Sequence, residues 1–322
     1  MFSPQATATA LGDTVRALDT IGRPLEAVVL LAAVVLAAVA VVPTLRSRLH
    51  VALAATTAVL IAGEAVLVWF HIRLWQICQV PDFTTGGIAG AFAVPLWIES
   101  EKLYVWALIL ALIALGMRRH RTEIRPLLAL GVAALAAGAV LWSHPFTEPL
   151  PDFLAQYESY LSAWGSGVAA AMFGAYQAAE GSRLYFYNTW YMWVHPPLLF
   201  VSYGAFVTSF AATVLMIVRR RSSFEQTAYR WARLGYLPLT FGMLIGFPWA
   251  ILAWGGESWW WSGKVNMSIM MWLLYTAYLH ARLYLRRRGM WRVVAALAVL
   301  SFLALVLTYV TTYLVPGAHS VA

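Results

Sequence analysis

Eight apolar runs, each long enough to cross a bilayer, dominate this chain. They cover Leu25–Pro43, Val51–Phe70, Trp97–Met117, Pro126–Trp142, Trp190–Val218, Leu234–Ala253, Met267–Leu285 and Val293–Tyr313. Runs of this length read as transmembrane helices. Composition agrees: hydrophobic residues make up 61% and charged residues 11%, outside the range of soluble domains. The predicted fold is an all-α polytopic membrane protein of about eight transmembrane helices. The run ending at Val218 is longer than a bilayer requires, which predicts a surface-lying first part or a strong tilt.

Arginine placement gives the orientation. Arg46 and Arg48, the group Arg118, Arg119, Arg121 and Arg125, the group Arg219, Arg220, Arg221, Arg230 and Arg233, and the group Arg286, Arg287, Arg288 and Arg292 occupy alternate connections. The positive-inside rule then puts both termini and loops 71–96, 143–189 and 254–266 on the outer face. The net charge of +8 follows from this topology and needs no nucleic acid.

Residues 1–24 carry Asp13, Arg16, Asp19 and Arg23 without an apolar core, so they read as an outer N-terminal segment rather than a cleavable signal. Residues 25–322 read as a single integral membrane domain. Cys78 is the only cysteine, which leaves no intrachain disulfide and no dithiol chemistry within one copy.

Between two apolar runs lies Ile251–Val265, ILAWGGESWWWSGKV, with Trp254, Trp259, Trp260 and Trp261 beside Gly255, Gly256 and Gly263. An interfacial belt needs one or two indoles per helix end. Indoles gathered around glycines instead offer a flat apolar platform in the outer loop 254–265. Two histidines share its predicted face: His195, in WVHPPLLF at the start of the fifth run, and His319, in PGAHS beyond the eighth. They are either unrelated surface residues or axial nitrogen ligands for an iron porphyrin lying on the indoles. His50 and His120 read as solvated. His144 reads as interfacial, and His71 ends the second run at the outer surface. Glu64, seven residues before His71, shares its helical face, and both a structural hydrogen bond and a role in proton or haem passage are open to it. Glu99, Glu101 and Lys102 read as an interfacial salt cluster.

The stretch WGGESWWWSGKVNMSIMMWLLYTAYLHAR (Trp254–Arg282) resembles the tryptophan-rich signature of the CcsA/CcmF/CcmC haem-handling superfamily of cytochrome c biogenesis, closest to the CcsA (ResC)-like form. Trp254, Gly255, Trp259, Trp261, Lys264, Trp272, Tyr278, Leu279, His280 and Arg282 fit its pattern with one residue inserted near Ser258. HPPLLFVSYGAF (His195–Phe206) and GAHS (Gly317–Ser320) are similar to the family's two external histidine segments. The chain departs from the pattern at Ser262-Gly263 and Val265, where the family has Asp-Pro and then Glu.

The resemblance implies haem b (iron protoporphyrin IX) held by His195 and His319, with Trp254, Gly255, Trp259, Trp260 and Trp261 carrying the macrocycle. It also implies an inner site at His280, and Arg183 in the long outer loop becomes a candidate for a haem propionate. His280 lies fourteen residues after Asn266, roughly 21 Å along its helix, in the inner part of the bilayer. The implied function is haem transport and presentation in the plasma (inner) membrane for attachment to the CXXCH motif of apocytochrome c, as a holocytochrome c synthase component of System II type. A CcsB/ResB-like partner and a separate thiol reductant are implied with it. The alternative from another class is a b-haem electron-transfer or quinone-reactive subunit, which places paired histidines inside the bundle at matching depths. A third, a transporter with aromatic gating, needs no haem.

Overall fold

The computed structural model describes residues 3–81, 88–117, 123–221, 223–255, 261–285 and 290–315. Among them the helices are α1 Pro4–Val41, α2 Leu49–Ile77, α3 Lys102–Gly116, α4 Arg125–Gly138, α5 Pro151–Gly165, α6 Ala169–Ser182, α7 Trp190–Arg219, α8 Ser223–Ala253, α9 Gly263–Arg282 and α10 Met290–Leu314. Each apolar run is carried by one of α1–α4 or α7–α10, the fourth being completed by a π-helical turn over Ala139–Ser143. Among the described residues six stretches, Pro4–Val41, Pro43–Ile77, Arg125–Ser143, Trp190–Arg219, Ser223–Ala253 and Met290–Thr311, are long and apolar enough to cross a membrane. The protein is an all-α, multi-pass membrane protein. The sequence pattern did not announce one short hairpin, in which β1 (Gln79–Pro81) pairs antiparallel with β2 (Ile88–Ala91).

The chain divides into two compact units, Met1–Leu108 with Val132–Trp193 and Ile109–Gly131 with Val194–Ala322. In the first, α1 runs for 38 residues, about 57 Å at 1.5 Å per residue, nearly twice what a bilayer core needs. Residues 4–24 continue the first span without a break, and their buried Leu11 and Leu18 belong to a face that meets α5. Further along, the Thr147 hydroxyl donates to Glu26 Oε1 at 3.1 Å, tying the same helix to the segment beyond α4. Phe92, Phe153, Tyr157 and Tyr187 pack edge to face with centroids 4.8–5.6 Å apart. Pairs of this kind contribute about 0.5–1.5 kcal/mol each beyond area burial. The Tyr157 hydroxyl donates to Gln79 O at 2.8 Å and so fastens α5 to the hairpin.

The start of α5 has no side-chain cap of its own, and Leu150 holds a left-handed φ of 43°. A 3₁₀ turn, Glu99–Glu101, supplies the missing acceptors from 50 residues away. Glu99 Oε2 accepts from Asp152 N at 3.1 Å, and Ser100 Oγ accepts from Leu150 N at 3.2 Å. This turn corrects the reading of Glu101 as part of an interfacial cluster with Glu99 and Lys102. Glu101 is fully buried and paired with His71, because the turn directs it inward against α2 before α3 begins.

In the second unit α9 packs against α10 and α8. Lipid gives helices no hydrophobic reason to associate, so close packing at small residues has to do it. Ser202 Oγ donates to Gly235 O at 2.7 Å and Ser209 Oγ to Ala228 O at 2.8 Å, both from α7 to α8. Such bonds average only about 0.6 kcal/mol, so they set register more than affinity. Phe206 stacks on Tyr275 at 3.6 Å and Phe210 on Phe302 at 3.9 Å.

Burial first, and then the neighbouring Asp152, push the Glu99 carboxyl from 4.5 up to about 7. A folded-state value raised in this way gives stability that is full below the unfolded value and lost as pH rises through the folded one. The thermal unfolding midpoint is therefore expected to fall between pH 4.5 and about pH 7. Glu99→Gln should flatten that slope; an unchanged slope, followed by circular dichroism, would remove Glu99 as its source.

Candidate functional site

His195 lies in the second turn of α7, ahead of Pro196 and Pro197 inside the helix. Its Nδ1 is 2.7 Å from the carbonyl oxygen of Gly242 on α8. A carbonyl only accepts, so Nδ1 carries the hydrogen and the lone pair of Nε2 remains for a ligand bond. The ring fits because α8 has no side chain opposite it: a Cβ at Gly246 would stand 2.6 Å from His195 Cε1. Trp249, one turn further on, stacks on the imidazole at 6.1 Å and 29°, and meets Trp254 edge to face at 4.8 Å. A run of aromatic contact thus joins His195 to the start of the tryptophan loop. Lys264, at the start of α9, lies within electrostatic reach of His195.

Of the predicted platform, Trp254, Gly255 and Trp261 are described, and Trp261 is 80% exposed. Trp259, Trp260 and His319 lie outside the described residues. Val315, four residues before His319, approaches the loop's far end: a Cβ at Gly263 would meet Val315 Cγ1 at 3.3 Å. The loop ends at Ser262, whose Oγ accepts from Val265 N at 3.4 Å and caps α9. Serine and aspartate are comparable N-caps. Where the resemblance implies an aspartate, Ser262 therefore keeps the helix start without the charge.

His280 lies near the other end of α9, exposed, with Nδ1 2.8 Å from Thr276 O. The same donor logic leaves its Nε2 open to the outside of the helix. Arg282, two residues on, points elsewhere, since residues two apart do not share a helical face. Its Nε donates to Glu225 Oε1 at 2.9 Å, and its guanidinium lies 4.1 Å from the centre of the Tyr229 ring. Trp272 Nε1 donates to Thr240 Oγ1 at 3.0 Å, and Tyr236 and Thr276 hydroxyls bond at 2.7 Å. The motif's Trp and Arg thus fasten α9 to α8, and His280 is left on the outer stripe with Met270, Leu273 and Ala277.

The remaining candidates lie in the first unit. Arg183 gives Nε and Nη2 to Glu180 at 2.7 and 2.5 Å. His71 uses both ring nitrogens, toward Val94 O at 2.7 Å and Glu101 Oε1 at 2.6 Å, so none is left for iron. Sequence reading passed over Gly242, Gly246 and Trp249. The glycine pair at i, i+4 directly before Pro248-Trp249 was their available signal.

Two outcomes follow. Gly246→Ala should destabilise the α7–α8 contact by about 1–3 kcal/mol, the usual cost of overpacking; Gly12→Ala, with nothing within 4 Å of its Cβ, should not. Ser262→Ala should cost about 1 kcal/mol and Ser262→Asp close to nothing. Thermal midpoints in detergent read both.

Comparison with known proteins places the chain in a family. Residues 95–319 match the family model described as cytochrome C assembly protein. The probable cytochrome c-type biogenesis protein NrfE of Escherichia coli K12 is 29% identical over 238 residues, 69% of this chain and 38% of that protein. The cytochrome c-type biogenesis protein CcmF of Haemophilus influenzae is 28% identical over 243 residues, 71% of this chain and 32% of its own. The cytochrome c biogenesis protein CcsA of Gloeobacter violaceus is 35% identical over 118 residues, 35% of this chain and 34% of its own. The matched segments thus cover about a third of each relative's length. With most of its length under the family match, this chain belongs to the cytochrome c assembly protein family.

Proposed function

We propose that the protein binds haem b at its outer face and presents it for covalent attachment to apocytochrome c, working in the plasma (inner) membrane. The observation that carries this reading is the His195 imidazole. Its Nδ1–H is fixed on Gly242 O, so the ring's orientation and tautomer are set before any ligand arrives. A neutral, preoriented imidazole beside indole faces fits an iron porphyrin. His195 and His319 would ligate the iron, with Trp254, Gly255, Trp259, Trp260 and Trp261 against the macrocycle. When bound, the haem supplies the vinyl groups to which the thiols of a CXXCH segment add.

The chain's own contribution is binding, orientation and exclusion of water. Gly246 leaves room for the imidazole, Trp249 limits its rotation, and Lys264 places a positive charge nearby. His280 would serve an inner site, its Nε2 directed outward where a CcsB/ResB-like partner would complete the ligation. Glu180 holds the Nε–Nη2 edge of Arg183, and in this proposal the Nη1 side would reach a haem propionate. Substrate thiols need a separate reductant: burial pushes the Cys78 thiol up, away from the reactive thiolate. Eight spans with both termini outside complete the proposed arrangement. It is supported by the arginine-rich connections and by the helices that carry all eight apolar runs.

Replacing His195 and His319 together with alanine should abolish haem retention by the purified protein, read from its visible absorption spectrum. In His195→Gly, added imidazole should restore the absorption bands, which separates lost ligation from lost folding. A double variant with the parent spectrum and unchanged redox titration would refute the assignment.

A further inference from the structure

The first unit holds a set of ionisable side chains with no role in gripping haem. His71, in α2, is 7% exposed, and Glu101 is fully buried. The carbonyl of Val94 fixes the hydrogen on His71 Nδ1 at 2.7 Å. The opposite contact, Nε2 to Glu101 Oε1 at 2.6 Å, also requires a hydrogen between its atoms. The pair is therefore either imidazolium with carboxylate or imidazole with carboxylic acid, and both forms hold the same proton. The second oxygen of Glu101 and Oε2 of Glu64 are buried without a hydrogen-bond partner among the described residues. An orphaned carboxylate oxygen in such a place is expensive as an anion and far cheaper as an acid.

The other ionisable groups around the pair form a series. Glu64, seven residues earlier on the same face of α2, is about 10.5 Å along the axis from His71 and is electrostatically coupled to both His71 and Glu101. Tyr104, on α3, is coupled to Glu64. Its hydroxyl donates to Leu60 O at 3.0 Å. It sits where only glycine fits below, since a Cβ at Gly63 would come within 2.0 Å of it. Toward the predicted outer end, Lys102 is coupled to Glu99 and Asp152 at the start of α5. Exchangeable protons thus lie on Glu101 and His71 and, inside the span, on Glu64, while Glu99, Lys102 and Asp152 form a separate coupled group.

The geometry points to a proton-relay site in which the hydrogen between His71 Nε2 and Glu101 Oε1 is passed along, and Glu64 accepts or supplies a proton within α2. Each transfer moves one proton and leaves all electron pairs in place, with water carrying it over the gap between the pair and Glu64, so no oxidant or reductant is needed. The relay is independent of haem ligation.

Infrared difference spectroscopy of the full-length protein in lipid nanodiscs tests it, with pH stepped from mildly acidic to mildly alkaline. The expected result is a carbonyl-stretch signal from buried glutamic acid that titrates and shifts when the protein is labelled with ¹³C-glutamate. Glu64→Gln should remove one component, and His71→Gln should shift that of Glu101. In Glu101→Gln the Glu64 component should exchange more slowly with D₂O. Glu99→Gln, which removes the other near-neutral carboxyl of the region, should leave these components in place. No titrating buried acid in the labelled wild-type protein would overturn the relay, and that measurement requires no variant to fold. It would also fall if the signal survived intact in both Glu64→Gln and Glu101→Gln, or if D₂O exchange at Glu64 ignored the loss of Glu101.

Discussion

A hydrocarbon interior offers no partner to a polar group, and each one left alone there costs several kcal/mol. That shortage decides more than the choice of helix for the backbone. Thr57, Thr208, Thr213, Thr240, Thr276 and Thr308 all donate to the carbonyl four residues earlier in their own helix. His280 does the same through Nδ1. Among the described residues, side chains that bond across to another helix mark places where helices are pinned, among them Ser202 and Ser209 on α8, Trp272 on Thr240, and His195 on Gly242. The rule that makes the bundle helical also fixes the histidine tautomers that make a ligand site possible.

The spans could be read because an apolar run long enough to cross a bilayer is a local signal. His195, His280 and the tryptophan loop stand out in the sequence because their residue types are rare together. What escaped was set by residues distant in sequence. Gly246 matters because of a ring 51 positions earlier, and nothing in its own neighbourhood announces that. Glu101 looked interfacial because it adjoins Glu99 and Lys102; burying it takes a 3₁₀ turn and an imidazole 30 residues away. The hairpin after α2 and the cap of α5 depend on equally remote partners.

A serine where the resemblance implies a loop carboxylate has a physical meaning. Two functions reside in an aspartate before a helix: it accepts a backbone hydrogen bond, and it carries charge. Ser262 retains the first. Any step that required the negative charge has no counterpart at that position, whereas the scaffold beneath the indoles is kept.

That cap has a mechanical consequence at the far end of α9. A helix is a rigid screw, turning about 100° and advancing 1.5 Å per residue, so the residue that starts it determines where every later side chain points. The glycine- and tryptophan-rich stretch before Ser262 lies upstream of the thread and can vary in length without turning it. One residue gained or lost between Ser262 and His280 would swing the imidazole a quarter-turn or more off the exposed stripe, away from whatever meets it there. The number of residues before Ser262 thus does not matter to that angle, while the seventeen residues between the cap and His280 are held to a fixed count.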